Sequence, residues 1–352
     1  MFCRRIAPWV LTILVVVPFA EAQDNHLWVG PNVNMVSGTT WPDGDPFLQR
    51  QNEPSIAVSS RNPMHVMGFV NDYRSVDIPG LPEGKETGDS WLGVFKSFDG
   101  GLTWQSTLLP GYPQDEFSQS PIHGYEAGAD PVVRAGTHGL FYLTGIVFDR
   151  GDTARSALFL TRYMDLNNLE GGDPISYIDT GIVASDSGDV FIDKPWLAVD
   201  VPRGTGTVSF EVPQDGGTVQ QTVECGNVYL AWAEIWGPEY DLRSNIMFSR
   251  STDCGANWSD PEIISEPGTM NQGVTIAVDP EDGFVWVSWR RFDTASANPC
   301  TFDSGHWADN PEDWPVEFIT MGGVTYSKAA ALAIMKEPKG GDATYILAKQ
   351  LI

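Results

Sequence analysis

Two octapeptides decide how this chain is read: Ser97-Phe98-Asp99-Gly100-Gly101-Leu102-Thr103-Trp104 and Ser251-Thr252-Asp253-Cys254-Gly255-Ala256-Asn257-Trp258. Both follow Ser-x-Asp-x-Gly-x-(Thr/Asn)-Trp. A carboxylate two residues into a turn accepts hydrogen bonds from backbone N–H groups ahead of it. The glycine takes a backbone angle that a Cβ would penalise. The tryptophan opens the next strand and lays its ring under the turn. β-Rich runs flank each octapeptide, at 91–96 and 105–109, and at 244–250 and 262–265. The pattern predicts a structural lock between the third and fourth strands of a repeated unit.

Working outward, four segments share one outline: a short apolar strand, a polar turn and a second β-rich strand. They open at Asn52-Glu53-Pro54-Ser55-Ile56-Ala57-Val58, at Ala129-Asp130-Pro131-Val132-Val133, at Asp193-Lys194-Pro195-Trp196-Leu197-Ala198-Val199 and at Gln272-Gly273-Val274-Thr275-Ile276-Ala277-Val278. The second strands include Val228-Tyr229-Leu230-Ala231-Trp232 and Val285-Trp286-Val287-Ser288-Trp289. β-Branched and aromatic residues dominate them, as a pleated surface favours. Helical periodicity is confined to 327–336. The 36 Gly, 25 Pro and 13 Trp of the 352 residues suit short strands joined by many turns.

The N-terminus has a targeting pattern. Arg4 and Arg5 precede an apolar run over 6–20, and Ala20-Glu21-Ala22 places small residues at a cleavage site. The expectation is a signal peptide over 1–22 and a secreted, periplasmic or cell-surface protein. A membrane anchor fits less well, because the run is short and contains Pro8 and Pro18. The net charge of −25 opposes binding to nucleic acid and to anionic lipid. The chain has no CxxC pair, no HExxH, no GxSxG and no Gly-rich phosphate loop, so the metal, hydrolase and nucleotide motifs those patterns mark are missing.

The octapeptides resemble the Asp-box (BNR-type repeat) of the sialidase (neuraminidase) superfamily. The text around them, including Asn71-Asp72-Tyr73-Arg74 and 194–200, resembles bacterial exported proteins with such repeats. The resemblance implies an all-β fold, a β-propeller of four-stranded antiparallel blades. Ser97, Asp99, Gly101, Trp104, Ser251, Asp253, Gly255 and Trp258 then hold turns away from the active centre. The expected organisation is a strand or linker at 23–50, propeller blades at 51–293, and a degenerate or truncated blade at 294–352. Cys225 opens the second strand of the third repeat and Cys254 lies in the turn after the third strand. Neighbouring strands would bring them together, so a Cys225–Cys254 disulfide is expected. Cys300 has no evident partner.

Sialidase-like chemistry needs an Arg cluster for a substrate carboxylate, a Tyr–Glu nucleophile pair and an acid/base carboxylate. In the family the first Arg lies in a Phe/Tyr-Arg-Ile-Pro motif on the innermost strand of the first blade. Here that place reads Asn52-Glu53-Pro54-Ser55-Ile56, without the Arg, and Arg50 lies two residues before it. Candidates by type are Arg74, Arg134, Asp72, Asp130 and Glu53, with Arg290 and Arg291 at a strand end and Tyr73, Tyr142 and Tyr229 as tyrosines. Glu53, Asp130, Asp193 and Gln272, at the repeat openings, are expected to ring one mouth of a central channel. They are either a polar or metal-binding centre or the groups that cap strands and bond neighbouring blades. No cofactor is implied. Asp43-Gly44-Asp45, 186–189 and 279–282 have oxygen ligands for calcium but no known loop spacing, which favours solvated turns. The resemblance implies an extracellular glycan ligand, bound or hydrolysed. The competing reading is a non-catalytic scaffold for a protein partner.

Overall fold

The computed structural model describes residues 30–36, 51–73, 89–292 except 117, 152–154, 205 and 239–241, then 312, 317–321 and 324–336. The expected signal segment 1–22, the linker apart from 30–36, Arg50, Arg74 and Cys300 lie outside the described residues. What is described is all-β apart from one short 3₁₀ turn and one helix.

The first sheet comprises β1 (Gln51–Val58), β2 (Val66–Asp72), β3 (Trp91–Ser97) and β4 (Gln105–Leu108), in sequence order. The second comprises β5 (Ala127–Ala135), β6 (Leu140–Phe148), β7 (Arg155–Asp165) and β8 (Ile175–Ser187), also in order. In the third, β9 (Val190–Val199) is separated in sequence from its neighbour β12 (Val228–Trp236) by a hairpin, β10 (Thr207–Gln214) and β11 (Gly217–Glu224). The sheet then continues to β13 (Arg243–Ser251) and β14 (Glu262–Ile263). The fourth repeat has two paired strands among the described residues, β15 (Met270–Val278) and β16 (Val285–Phe292). All these pairs are antiparallel. A hairpin of β17 (Phe318–Met321) and β18 (Val324–Ser327) leads into the helix, α1 (Lys328–Lys336), where the sequence suggests one.

The sheets stack face to face through apolar layers. Met67, Phe69 and Leu92 of the first meet Val133, Phe141 and Phe159 of the second. Leu140, Leu158 and Leu160 of the second meet Leu197, Leu230 and Trp232 of the third. Ala231 and Ile246 of the third meet Val274 and Ile276 of the fourth. The middle sheets are therefore apolar on both faces, and all nine residues of β6 are buried. The end sheets are not: Ile56 on β1 and Trp286 on β16 are 60% and 69% exposed. The opening strands β1, β5, β9 and β15 lie side by side in succession, an arrangement like that of a propeller axis.

The two octapeptide turns are hydrogen-bonded identically. Ser97 Oγ donates to Asp99 Oδ1 (2.9 Å) and accepts from Gly101 N (2.8 Å). Asp99 Oδ1 accepts from Thr103 N (2.8 Å) and Oδ2 from Thr103 Oγ1 (2.6 Å). In the second turn Ser251, Asp253, Gly255 and Asn257 repeat these bonds at 2.7–2.9 Å. Burial opposes ionisation of both aspartates, but these bonds hold both below the usual carboxylate range. Trp104 Nε1 donates to Gly101 O, closing the first turn over its ring. Cys225 and Cys254 are joined in a disulfide. Arg162 of β7 donates to Cys254 O (3.1 Å) while paired with Asp179, and so ties that turn to the second sheet.

Candidate functional site

Each opening strand carries a β-bulge at the same place. Two residues face one on the partner strand: Glu53-Pro54 across from Val70, Asp130-Pro131 from Gly145, Lys194-Pro195 from Trp232, and Gly273-Val274 from Trp289. The first residue of each bulge is left-handed, with φ of 51° at Glu53, 60° at Asp130, 45° at Lys194 and 69° at Gly273. For a non-glycine residue that conformation costs on the order of 1–3 kcal/mol. Proline is tolerated as the second residue because the bulge interrupts the ladder and leaves no bond for its missing N–H. The bulge turns the first side chain out of the sheet's alternation and towards the neighbouring sheet.

The four bulges meet around a cleft of about 440 Å³, lined by Glu53, Ser55, Asp130, Arg134, Lys194 and Trp196 together with the three prolines and 273–275. Lys194 is the hub. Its Nζ donates to Glu53 Oε2 (2.5 Å) and Asp130 Oδ1 (3.1 Å), and its backbone N donates to Asp130 Oδ2 (3.1 Å). Asn71 Oδ1 accepts from Asp130 N (3.0 Å). Gln272 Nε2 donates to Asp193 Oδ2 (2.7 Å). Arg134 Nη1 donates to Val133 O (2.8 Å), and its guanidinium lies 4.9 Å over the Trp196 ring.

The electrostatics separate the two carboxyls. Burial pushes Asp130 up to about 6; the Asp193 charge and the neighbouring Glu53 carboxyl add to this, while Lys194 opposes it. Glu53 is less buried, and its bond with Lys194, helped by the neighbouring polar groups, outweighs desolvation to hold it below the usual range. Burial works against the Lys194 ammonium, but Glu53 and Asp130 keep its pKa above the usual lysine value. Burial depresses Arg134. The cleft thus holds a carboxyl that titrates near neutrality beside one that stays ionised, which is the pairing acid–base chemistry uses.

The structure revises the expected ring. Glu53 and Asp130 are equivalent, but their counterparts in the third and fourth repeats are Lys194 and Gly273. Asp193 and Gln272 stand one residue earlier and bind each other. The signal for Lys194 was present, since it precedes Pro195 as Glu53 precedes Pro54. Arg134 reaches the cleft wall. Asp72 is fully buried and does not line the cleft. Tyr73, Tyr142 and Tyr229 do not line it either; Tyr142 is buried, and desolvation pushes its hydroxyl well above the usual tyrosine value. Arg290 lies over Phe292, and Arg291 pairs with Glu266; neither lines the cleft. In the acidic turns Asp279 accepts Glu281 N and Asp282 accepts Phe284 N, as turn-forming groups do. Among the described residues no three His, Cys, Asp or Glu are grouped to hold a metal ion, and no helix is long and apolar enough to cross a membrane.

The chain matches no protein-family model and no curated protein. Solved structures similar to it include a protein of unknown function from Dyadobacter fermentans (14% identity, TM-score 0.40, 68% of this chain and 56% of that one). Others are the Penicillium chrysogenum α-L-arabinanase complexed with arabinobiose (12%, 0.28, 70% and 79%) and the Trypanosoma rangeli sialidase in complex with the inhibitor DANA (8%, 0.24, 77% and 59%). This chain therefore spans little more than half the length of the Dyadobacter protein.

Proposed function

We propose that this chain is an exported, sialidase-like β-propeller with Asp-box turns that binds extracellular glycans at the cleft where its opening strands meet. In this reading 1–22 is a signal peptide, 23–50 a linker, 51–293 the blades and 294–352 a degenerate blade. The protein acts outside the cytoplasm, in the medium, the periplasm or at the cell surface. The observation that carries the reading is the juxtaposition of Glu53, Asp130 and Lys194 beside Arg134 and Trp196 in one open cleft. Polar groups converging on a concave, partly apolar surface are the usual makings of a small-ligand site.

Binding fits this geometry better than hydrolysis. Two-carboxylate glycosidases hold their carboxyls about 5–5.5 Å or more apart to admit the sugar or a water. Here one ammonium, Lys194 Nζ, is hydrogen-bonded to both Glu53 and Asp130 and occupies the space between them. A glycan-binding assay run beside turnover of a fluorogenic sialoside tests the proposal, with Lys194→Ala, Asp130→Asn and Arg134→Ala as variants. Glycan binding that the variants weaken supports it. Absence of both binding and turnover in folded protein refutes it. A second reading, a non-catalytic scaffold for a protein partner, has its own support: Lys194–Asp130 and Gln272–Asp193 are bonds between neighbouring sheets. Those contacts would persist with no ligand at all.

A further inference from the structure

The ammonium of the cleft is already paired with both of its carboxyls. Glu53 and Asp130 line it beside the cations of Lys194 and Arg134, and the Asp193 charge acts on Asp130 from outside the lining. Lys194 spends two of its three N–H groups on Glu53 and Asp130. Arg134 lies over the face of Trp196 with Nη1 turned to Val133 O, rather than as a fork open to the cleft centre. An entering carboxylate would meet the like charges of Glu53 and Asp130 and would have to draw Lys194 away from them. Bidentate capture of a carboxylate uses free guanidinium forks; among the residues lining this cleft Arg134 is the one guanidinium.

A neutral polyol meets no such opposition. Its hydroxyls can donate to the remaining lone pairs of Glu53 and Asp130 and accept the third Lys194 proton. Pro54, Pro131, Pro195 and Val274 add apolar surface beside these groups, matching the C–H face of a sugar ring. We infer that the cleft takes an uncharged glycan and discriminates against glycans that end in a carboxylate sugar, an inference that rests on the glycan-binding reading above.

The test uses matched probes: a panel of neutral oligosaccharides and the same oligosaccharides bearing a terminal sialic acid, titrated into the mature chain. The neutral member of a bound pair is expected to bind about tenfold or more tightly than its sialylated partner. Added salt should narrow the gap, because it screens the repulsion. Asp130→Asn removes one like charge and should narrow it several-fold. Glu53→Gln, at a more exposed position, carries the same test if Asp130→Asn fails to fold. Equal or tighter binding of the sialylated members overturns this inference and leaves the glycan-binding reading standing. Binding to neither class overturns both.

Discussion

Deleting the Lys194 ammonium should cost stability where Asp130 is ionised and little where it is not. Lys194→Met keeps the stem and removes the charge. The bond to Glu53 joins side chains that are 44% and 45% exposed, so screening leaves it about 0.5 kcal/mol. Asp130 is 12% exposed, and a charge-assisted bond there is worth about 1.5–3 kcal/mol. The expected loss at pH 8 is therefore about 2–3.5 kcal/mol. The sign of the pH dependence follows from Asp130. Its folded pKa, about 6, is raised above the ordinary 3.8. Its contribution to stability is thus fully present below 3.8 and is lost as pH rises through 6. Lys194 softens that loss, and the variant lacks the softening. The difference between the two proteins should shrink below about 1 kcal/mol at pH 5 and grow across neutrality. Urea unfolding of both proteins at pH 5 and pH 8 measures it. An equal difference at the two pH values, or a larger one at pH 5, would refute the reasoning. Lys194→Gly should lose about 1 kcal/mol less than Lys194→Met, because glycine accepts the 45° φ without strain.

Three further outcomes are expected. Reducing the Cys225–Cys254 bond, which closes a loop of sequence separation 29, should lower stability by about 3–4 kcal/mol; intact mass with and without reductant first establishes whether the bond forms, and free thiols at both positions would dispose of it. Asp253→Ala should cost about 1–2 kcal/mol near neutrality, with Asp253→Asn recovering part. Because the folded pKa of Asp253 is depressed, that cost should fade as pH drops through it, and a pH-independent cost from thermal scans would contradict the bonding described. Trp232→Ala, at a fully buried position between two sheets, should destabilise by about 3–5 kcal/mol, and an unchanged urea midpoint would contradict the packing.

The parts of this fold written in the sequence are those whose bonds close locally. The octapeptide turns bond within eight residues, so residue type and spacing specify them. The disulfide followed from strand order for the same reason. The Asp215-Gly216 turn between two alternating runs signals the β10–β11 hairpin, yet a repeat outline built on opening strands passes over it. The bulges were harder to read. Glu53 and Lys194 are poor choices for a left-handed residue on propensity alone, and only packing against neighbouring sheets holds them there. The cleft itself is a product of tertiary structure. Glu53, Asp130 and Lys194 are separated by scores of residues, and their pairing depends on how β1, β5 and β9 sit side by side.

The repeated bulge also bears on how such a molecule can change. In each repeat the main chain fixes a pedestal, and one residue stands on it: Glu53, Asp130, Lys194 or Gly273. None of the four belongs to the apolar layers between the sheets. Mutation at these positions can rewrite the chemistry of the mouth from acid to base to bare backbone while the layers beneath stay intact. Gly273 is the vacant pedestal, already tolerant of the angle. It is the place where a new functional group could be installed at least cost to the rest of the protein.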